Sequence, residues 1–239
     1  MERAGNSKGS YPQVLPLSRI QKLIGLRMSQ SKREKPSFYI EAKADVTELL
    51  LLRPKLRKSL GTKITTNSFY IRSLALACIE FPLMIGRIEG GSAIKIPDHI
   101  NVGFAVNAPQ GLVVPVIKNA EEKCLAEIAR LEKTLTEQAR DNKLSLEQLE
   151  DETIALSNLG AYGIDSFIGI VPPATTTILA VGNAVSQVVP IAGRPTVRKL
   201  VSLTVSVDHR VVNGSYASKF LVFIKEKLEN PMEVVQEKL

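Results

Sequence analysis

The chain has 239 residues, 44% of them hydrophobic, and 31 Lys and Arg against 24 Asp and Glu give a net charge of +7. That length can bury one large core or two small ones. No apolar run approaches the roughly 20 residues of a membrane span, Met1 leads into polar Glu2, Arg3 and Lys8 rather than an apolar leader, and two cysteines make no disulfide framework. These features argue against a helical membrane protein and a disulfide-stapled secreted one, and the expectation is a cytoplasmic protein. The charge is uneven: residues 1–60 hold 13 Lys and Arg against 5 Asp and Glu, the remainder 18 against 19. A basic amino-terminal quarter fits a solvated surface, a polyanionic ligand or a nucleic acid. Scattered aromatics and the lack of a nucleic-acid motif weigh against the last.

In chain order, residues 1–16 are polar and broken by Gly5, Gly9, Pro12 and Pro16, which predicts a flexible arm. Ser18 is a candidate N-cap for a helix with Ile20, Leu23, Ile24 and Met28 at helical spacing, ended by Pro36. Residues 38–44 read as a strand. Asp45 or Thr47 caps the next helix, to about Leu60, with Pro54 awkward inside it. Residues 65–80 form an apolar helix closed by Pro82. Short strands are expected near 86–88 and 93–96, and stronger ones at 102–106 and 112–117. Residues 126–140 make an amphipathic helix through Ile128, Leu131 and Leu135. A short helix follows Ser145, which has Gln148 at the capping-box position. Strands at 153–156, 176–181, 184–189 and 197–207 come next, then a helix over 215–229 and a short one from Pro231. Long helices over mostly non-alternating strands predict an α/β sandwich.

The strand over 197–207 places Val197, Val201, Leu203, Val205 and Val207 in one phase and Ser202, Thr204, Ser206 and Asp208 in the other. Continuing the alternation puts His209 in the apolar, inward phase. A histidine held there can serve as an oriented, neutral general base, or simply be a hydrogen-bonded core histidine. Cys78 lies in an apolar stretch and reads as a core residue, Cys124 opens a helix, and His99 reads as a loop residue. No Cys/His spacing suggests a metal.

Asp208-His209-Arg210-Val211-Val212-Asn213-Gly214 resembles the Asp-His-Arg-Val-x-Asp-Gly signature of the dihydrolipoamide acyltransferase core of 2-oxo acid dehydrogenase complexes. The resemblance continues in Ser157-Asn158-Leu159-Gly160-Ala161-Tyr162-Gly163 and Gly111-Leu112-Val113-Val114-Pro115-Val116-Ile117. It also covers Pro172-Pro173, the run Ile178 to Gly182, and Lys22 to Met28 with Ser31-Lys32. It therefore runs from about residue 17 to the end. The implied fold is the chloramphenicol acetyltransferase-like two-layer sandwich, a mixed sheet with flanking helices, over residues 17–239. No lipoyl or peripheral-subunit-binding domain is expected in the chain.

The resemblance implies acyl transfer between the thiols of dihydrolipoamide and coenzyme A, with His209 as general base and Ser157 stabilising the tetrahedral oxyanion. A free thiol near pKa 8.5 is mostly protonated at neutral pH, so a base is needed. Read alone, Ser157 after a strand and before a glycine-rich turn reads more readily as a turn former. No Gly-x-Ser-x-Gly elbow marks it as a covalent nucleophile. Asn213 stands where the family has aspartate, and Gln21 where it has arginine. Exchanging both members of an ion pair can be nearly neutral, so a Gln21–Asn213 hydrogen bond is expected in its place, although Asn213-Gly214 also reads as a turn. Arg53, Thr65 and Asn107 match positions implied in coenzyme A binding, and no metal is expected.

The implied partners are a homotrimer with its site between subunits, a 24-mer or 60-mer cage, a lipoyl-bearing protein, and the decarboxylase and dihydrolipoamide dehydrogenase components. No nucleic acid and no membrane are expected. Two alternatives stand beside this: a catalytically impaired structural or assembly core, which Asn213, Gln21 and Asn107 favour, and an acyltransferase for another small acceptor.

Overall fold

The computed structural model describes residues 14–236. The expected arm of residues 1–16 falls mostly outside them; residues 14–17 precede the first helix without regular structure.

Helix α1 (Arg19–Glu34) starts at Ser18 with a full capping box to Gln21 and stops before Pro36. Strand β1 (Ser37–Asp45) leads into α2 (Thr47–Leu60). Val46 is its N-cap, but Asp45 does the capping chemistry: its Oδ1 accepts from the Thr47 amide at 3.0 Å and hydroxyl at 2.6 Å. Pro54 is accommodated in the helix at an exposed position, without the amide that a helix interior uses. Thr65 caps α3 (Thr66–Glu80) through a second capping box, with Ser68. α3 is buried almost all round, which explains its lack of a polar face.

The hairpin β2 (Arg87–Glu89) and β3 (Ala93–Lys95) follows. Each strand expected at 102–106 and 112–117 is two. β4 (Val102–Phe104) and β7 (Val116–Ile117) belong to the main sheet, while β5 (Val106–Ala108) and β6 (Gly111–Val113) form a separate hairpin. Pro115 sits between β6 and β7, where it cannot donate to a ladder. The rest of the chain is α4 (Leu125–Arg140), β8 (Ile154–Asn158), β9 (Thr177–Val181), β10 (Val185–Ile191), β11 (Arg194–Asp208), α5 (Gly214–Glu229) and α6 (Pro231–Gln236). Only a 3₁₀ turn, Glu147–Leu149, occupies the site of the helix expected after Ser145.

The main sheet has the order β1-β11-β9-β8-β4-β7, with β10 paired to the first half of β11. It is mixed: β4, β8 and β9 are parallel neighbours and the other pairs antiparallel. α5 packs on β1 and β11, and α3 packs between α5 and α4. The opposite face is covered by the extended stretch after residue 164, where the Ser206 hydroxyl donates to the Gly169 carbonyl at 2.8 Å. Ala155, Val171 and Ile178 form a second small apolar cluster there. Both faces of residues 203–208 are therefore buried, and β11 does not alternate in exposure there.

Two buried groups in this frame carry measurable consequences. A Cβ on Gly182 would lie 1.9 Å from the Asp165 carbonyl oxygen, and one on Gly160 2.5 Å from that of Gly182. The backbone must give way, so Gly182→Ala should lower stability by about 3 kcal/mol and Tm by roughly 6–12 °C in a thermal melt. Glu152 is 7% exposed, and burial pushes its carboxyl up against the opposing pull of Arg27, Arg87, Lys118 and Lys35. A raised folded pKa favours the protonated fold, a contribution complete below the ordinary carboxylate range and lost as pH rises through the folded value. Glu152→Gln cannot titrate, so its Tm relative to the parent should rise between about pH 4 and pH 8. A constant difference across that range would show that Glu152 does not titrate differently in the folded state.

Candidate functional site

Every residue of the heptapeptide at 208–214 has a structural account. Asp208 ends β11 and is 2% exposed. Its Oδ1 accepts from the Arg210 amide at 3.0 Å, an Asx-type turn, and its two oxygens take the Arg210 guanidinium at 2.6–3.2 Å. The amides of Val211 and Val212 donate to the Asp208 carbonyl, and both side chains enter the core. Asn213 is the N-cap of α5, its Oδ1 accepting from the Tyr216 amide at 3.0 Å. Gly214 is the first residue of that helix.

This turn overturns the inward placement expected for His209. The alternation does not extend past Asp208, and the 208–210 clamp turns the histidine outward, so it is exposed on the single chain. Its backbone amide donates to the Pro36 carbonyl at 3.0 Å, and its ring rests against Phe38 with centroids 4.7 Å apart at a 55° tilt. Lys35, beside Pro36, braces the neighbouring loop. Its ammonium donates to the carbonyls of Pro172 at 2.7 Å and Pro173 at 2.9 Å, and to that of Thr175. Burial lowers this lysine to about 8, against the raising influence of Asp208. Nothing in the local sequence marks Lys35 for this task.

Ser157 lies in β8 and lines a cleft of about 1060 Å³ together with Thr65, Asn67, Asn107, Glu132 and Tyr162. Two of the three expected coenzyme A contacts thus share a cavity with Ser157. Thr65 is already engaged there, donating to Glu132 Oε2 at 2.6 Å, and Asn107 donates to the Tyr162 hydroxyl at 3.3 Å. Arg53 does not line the cleft; its Nε donates to the Ile64 carbonyl at 3.2 Å, tying α2 to the start of α3.

The Gln21–Asn213 hydrogen bond does not form within the chain. Gln21 Oε1 accepts from the Ser18 amide at 2.8 Å, completing the cap of α1, and the Asn213 oxygen caps α5. Each side chain satisfies its own helix start. His99 sits in its loop with Nδ1 3.0 Å from Glu121 Oε1, while Glu121 Oε2 accepts from the Ile100 amide. His99, Glu121 and Glu122 bring three ligand-type atoms within 4.8 Å, a grouping not apparent from their spacing. Cys78 is buried, with its thiol pushed up by desolvation, and Cys124 is the exposed N-cap of α4.

Register separates the two principal candidates. Ser157 pairs with Ala180, which pairs with Thr204, five positions before His209 and one strand further on. At about 3.3 Å per residue and about 4.8 Å between strands, the two backbone positions of one chain lie roughly 15–20 Å apart.

Sequence reasoning missed Glu132 and Asn67. A signal was present for the first: Ile128, Glu132, Leu135 and Ala139 form the buried stripe of α4, and a carboxylate stands in the middle of it. Asn67 carries no comparable mark.

Comparison with known proteins matches residues 10–236 to the model of the 2-oxoacid dehydrogenases acyltransferase (catalytic domain) family. The dihydrolipoyllysine-residue acetyltransferase component of the pyruvate dehydrogenase complex of Rickettsia felis is 34% identical over 222 residues, 91% of this chain and 54% of that protein. The chain spans about half the length of the curated relatives it matches. Among solved structures, the Azotobacter vinelandii dihydrolipoamide acetyltransferase superposes with a TM-score of 0.90 at 27% identity, covering 98% of both chains. That crystallographic and enzymatic work concerned the role of a serine, a histidine and an asparagine in its catalytic mechanism, separated by 52 and 4 residues. The cubic core of the pyruvate dehydrogenase multienzyme complex matches with the same score, identity and coverage. Chloramphenicol acetyltransferase, 13% identical with a TM-score of 0.52, shares the fold, as expected from the sequence. The chain belongs to the family of 2-oxoacid dehydrogenase acyltransferase catalytic domains.

Proposed function

We propose that this domain transfers an acyl group between the thiols of dihydrolipoamide and coenzyme A, using His209 of one subunit and Ser157 of its neighbour in a homotrimer. The observation that carries the reading is one of spacing. Ser157, His209 and Asn213 stand 52 and 4 residues apart, as do the serine, histidine and asparagine studied in the Azotobacter enzyme. An asparagine at that place in a relative's mechanism weighs against the impaired-scaffold alternative.

The neutral imidazole of His209 takes the proton of the attacking thiol as its sulfur bonds to the thioester carbon. The carbonyl oxygen becomes an oxyanion, to which the Ser157 hydroxyl donates. Collapse breaks the other carbon–sulfur bond, and the departing sulfur takes the proton back from the imidazolium. Asn213 has its oxygen committed to α5, so its amide donors are the half that can serve the site.

A second copy is needed on two grounds. The 15–20 Å gap keeps His209 and Ser157 of one chain apart. His209 is also exposed, and a base that works on a thiol needs a site closed to water. Exposed apolar side chains offer the surface for such a contact: Leu17, Leu23 and Leu26 around α1, and Val188, Ile191 and Val197 on the β10–β11 hairpin. The cubic core among its structural neighbours supports assembly of trimers into a 24-mer cage. The lipoyl group would arrive on another domain or protein, and the decarboxylase and dihydrolipoamide dehydrogenase would be further partners. A reducing compartment such as the cytoplasm suits the two unpaired thiols.

The test is acyl transfer from acetyl-, succinyl- and branched acyl-coenzyme A to free dihydrolipoamide, with oligomeric state read by sedimentation. His209→Ala should lower kcat by about 10²–10⁴ and Ser157→Ala by about 10²–10³, both as intact trimers. Mixed trimers of the two variants should recover part of the activity, because some interfaces then pair an intact histidine with an intact serine. Full activity in His209→Ala would remove the proposed base. A trimeric parent inactive with every donor would favour the scaffold reading.

A further inference from the structure

Glu132 occupies a position that the helix pattern reserves for an apolar side chain, yet it is 6% exposed and well partnered. Its Oε2 accepts from the hydroxyls of Thr65 and Ser68, each at 2.6 Å, and the Asn67 side chain also hydrogen-bonds to it. Burying a carboxylate costs several kcal/mol unless donors converge on it, and these three come from one turn at the start of α3.

The consequence lies further along the chain of bonds. Glu132 Oε2 is the acceptor for two hydroxyls, so Asn67 presents its NH₂ to Glu132 and its oxygen away from it. That oxygen accepts from Asn158 Nδ2 at 2.7 Å. Asn158 thereby has its own oxygen directed onward, where it accepts from the Gly160 amide at 2.9 Å. Asn158 directly follows Ser157, and the segment is packed tightly: the Leu159 amide donates to the Val181 carbonyl, and Gly160 lies against Gly182.

We propose that Glu132 is a positioning residue for Ser157, fixing the two amide orientations of an Asn67–Asn158 relay that holds residues 157–160 in one conformation. Its function is directional. A side chain that both donates and accepts at position 132 would let Asn67 turn over, which would present a donor to the donor of Asn158 and release the Gly160 amide. The inference rests on the acyl-transfer reading for its catalytic meaning, but the conformational claim stands on the hydrogen-bond pattern. The carboxylate is well placed to act this way because α4 and α3 belong to the rigid helical layer, whereas 159–163 is a turn.

Inverting the polarity tests the relay. Glu132→Gln is isosteric but can donate to Asn67. Asn67→Asp sets two carboxylates face to face. Combined, they rebuild the relay in reverse at its first link: the new amide donates to the new carboxylate, whose other oxygen still accepts from Asn158. Hydrogen–deuterium exchange over residues 157–163, read by mass spectrometry on the intact oligomer, should accelerate in each single variant and return to the parental rate in the pair. In the transfer assay, kcat should fall about tenfold or more in each single variant, with a smaller change in KM, and recover in the pair. Should a single variant fail to assemble, Asn67→Ala keeps Glu132 and its two hydroxyl donors, removes both links made by Asn67, and should accelerate the same segment. Parental exchange in these variants, or a pair worse than either single change, would overturn the proposal. A parent that exchanges slowly but transfers no acyl group would instead refute the functional reading and leave the relay to be judged by exchange alone.

Discussion

The register of β11 governs what this domain can do. The strand pairs with β1, β9 and β10, and its second half is covered on both faces, so it cannot slip without moving polar groups into an apolar layer. Its fixed end at Asp208 sets where His209 emerges, and the parallel pairing of β8 with β9 sets where Ser157 stands. The proposed base and oxyanion donor are held firmly, but on different parts of the surface. A rigid sheet of this kind makes a site at a subunit contact the natural solution, since each half arrives pre-organised on its own scaffold. The same logic makes the exposed apolar side chains of α1 part of the catalytic argument.

The elements that the sequence disclosed most clearly are those with local punctuation. Ser18 caps the helix expected of it, Thr65 stands just ahead of the helix it was expected to begin, Pro36 and Pro82 mark the ends, and the stripe of α4 is plain in its periodicity. Failures came where tertiary context replaced local pattern. Alternation along β11 reported nothing about inside and outside, because a loop covers the face that alternation would assign to water. The turn at 208–210 then puts His209 on the outer side rather than the inner one. The strands at 102–106 and 112–117 split because a separate hairpin, β5–β6, borrows the middle of the run, and apolar content alone does not show where one sheet ends and another begins.

Side-chain partners were the least legible. Gln21 and Asn213 looked like a matched pair because both are neutral substitutes for charged residues, yet each amide is taken by the nearest helix start. A local partner three residues away orders fewer groups than a distant one, and capping competes accordingly. Arg53 is also engaged elsewhere, meeting the Ile64 carbonyl rather than the cleft. By contrast the signature heptapeptide, which draws attention to one histidine, is largely architectural. Asp208 and Arg210 close the turn, Val211 and Val212 anchor it, and Asn213 opens the following helix.

Glu132 and Glu152 show how burial of like groups can serve different ends. Desolvation raises both carboxyls. Glu132 meets short hydrogen bonds from donors on a single helix turn, and such bonds fix orientation as well as charge. Glu152 is stabilised by Arg27, Arg87, Lys118 and Lys35 acting through space, an influence that depends weakly on direction. Directional contacts transmit a conformation and diffuse ones only a potential. Glu132 is therefore the carboxylate able to shape the neighbouring Ser157 segment, while Glu152 balances the surrounding basic side chains just ahead of β8.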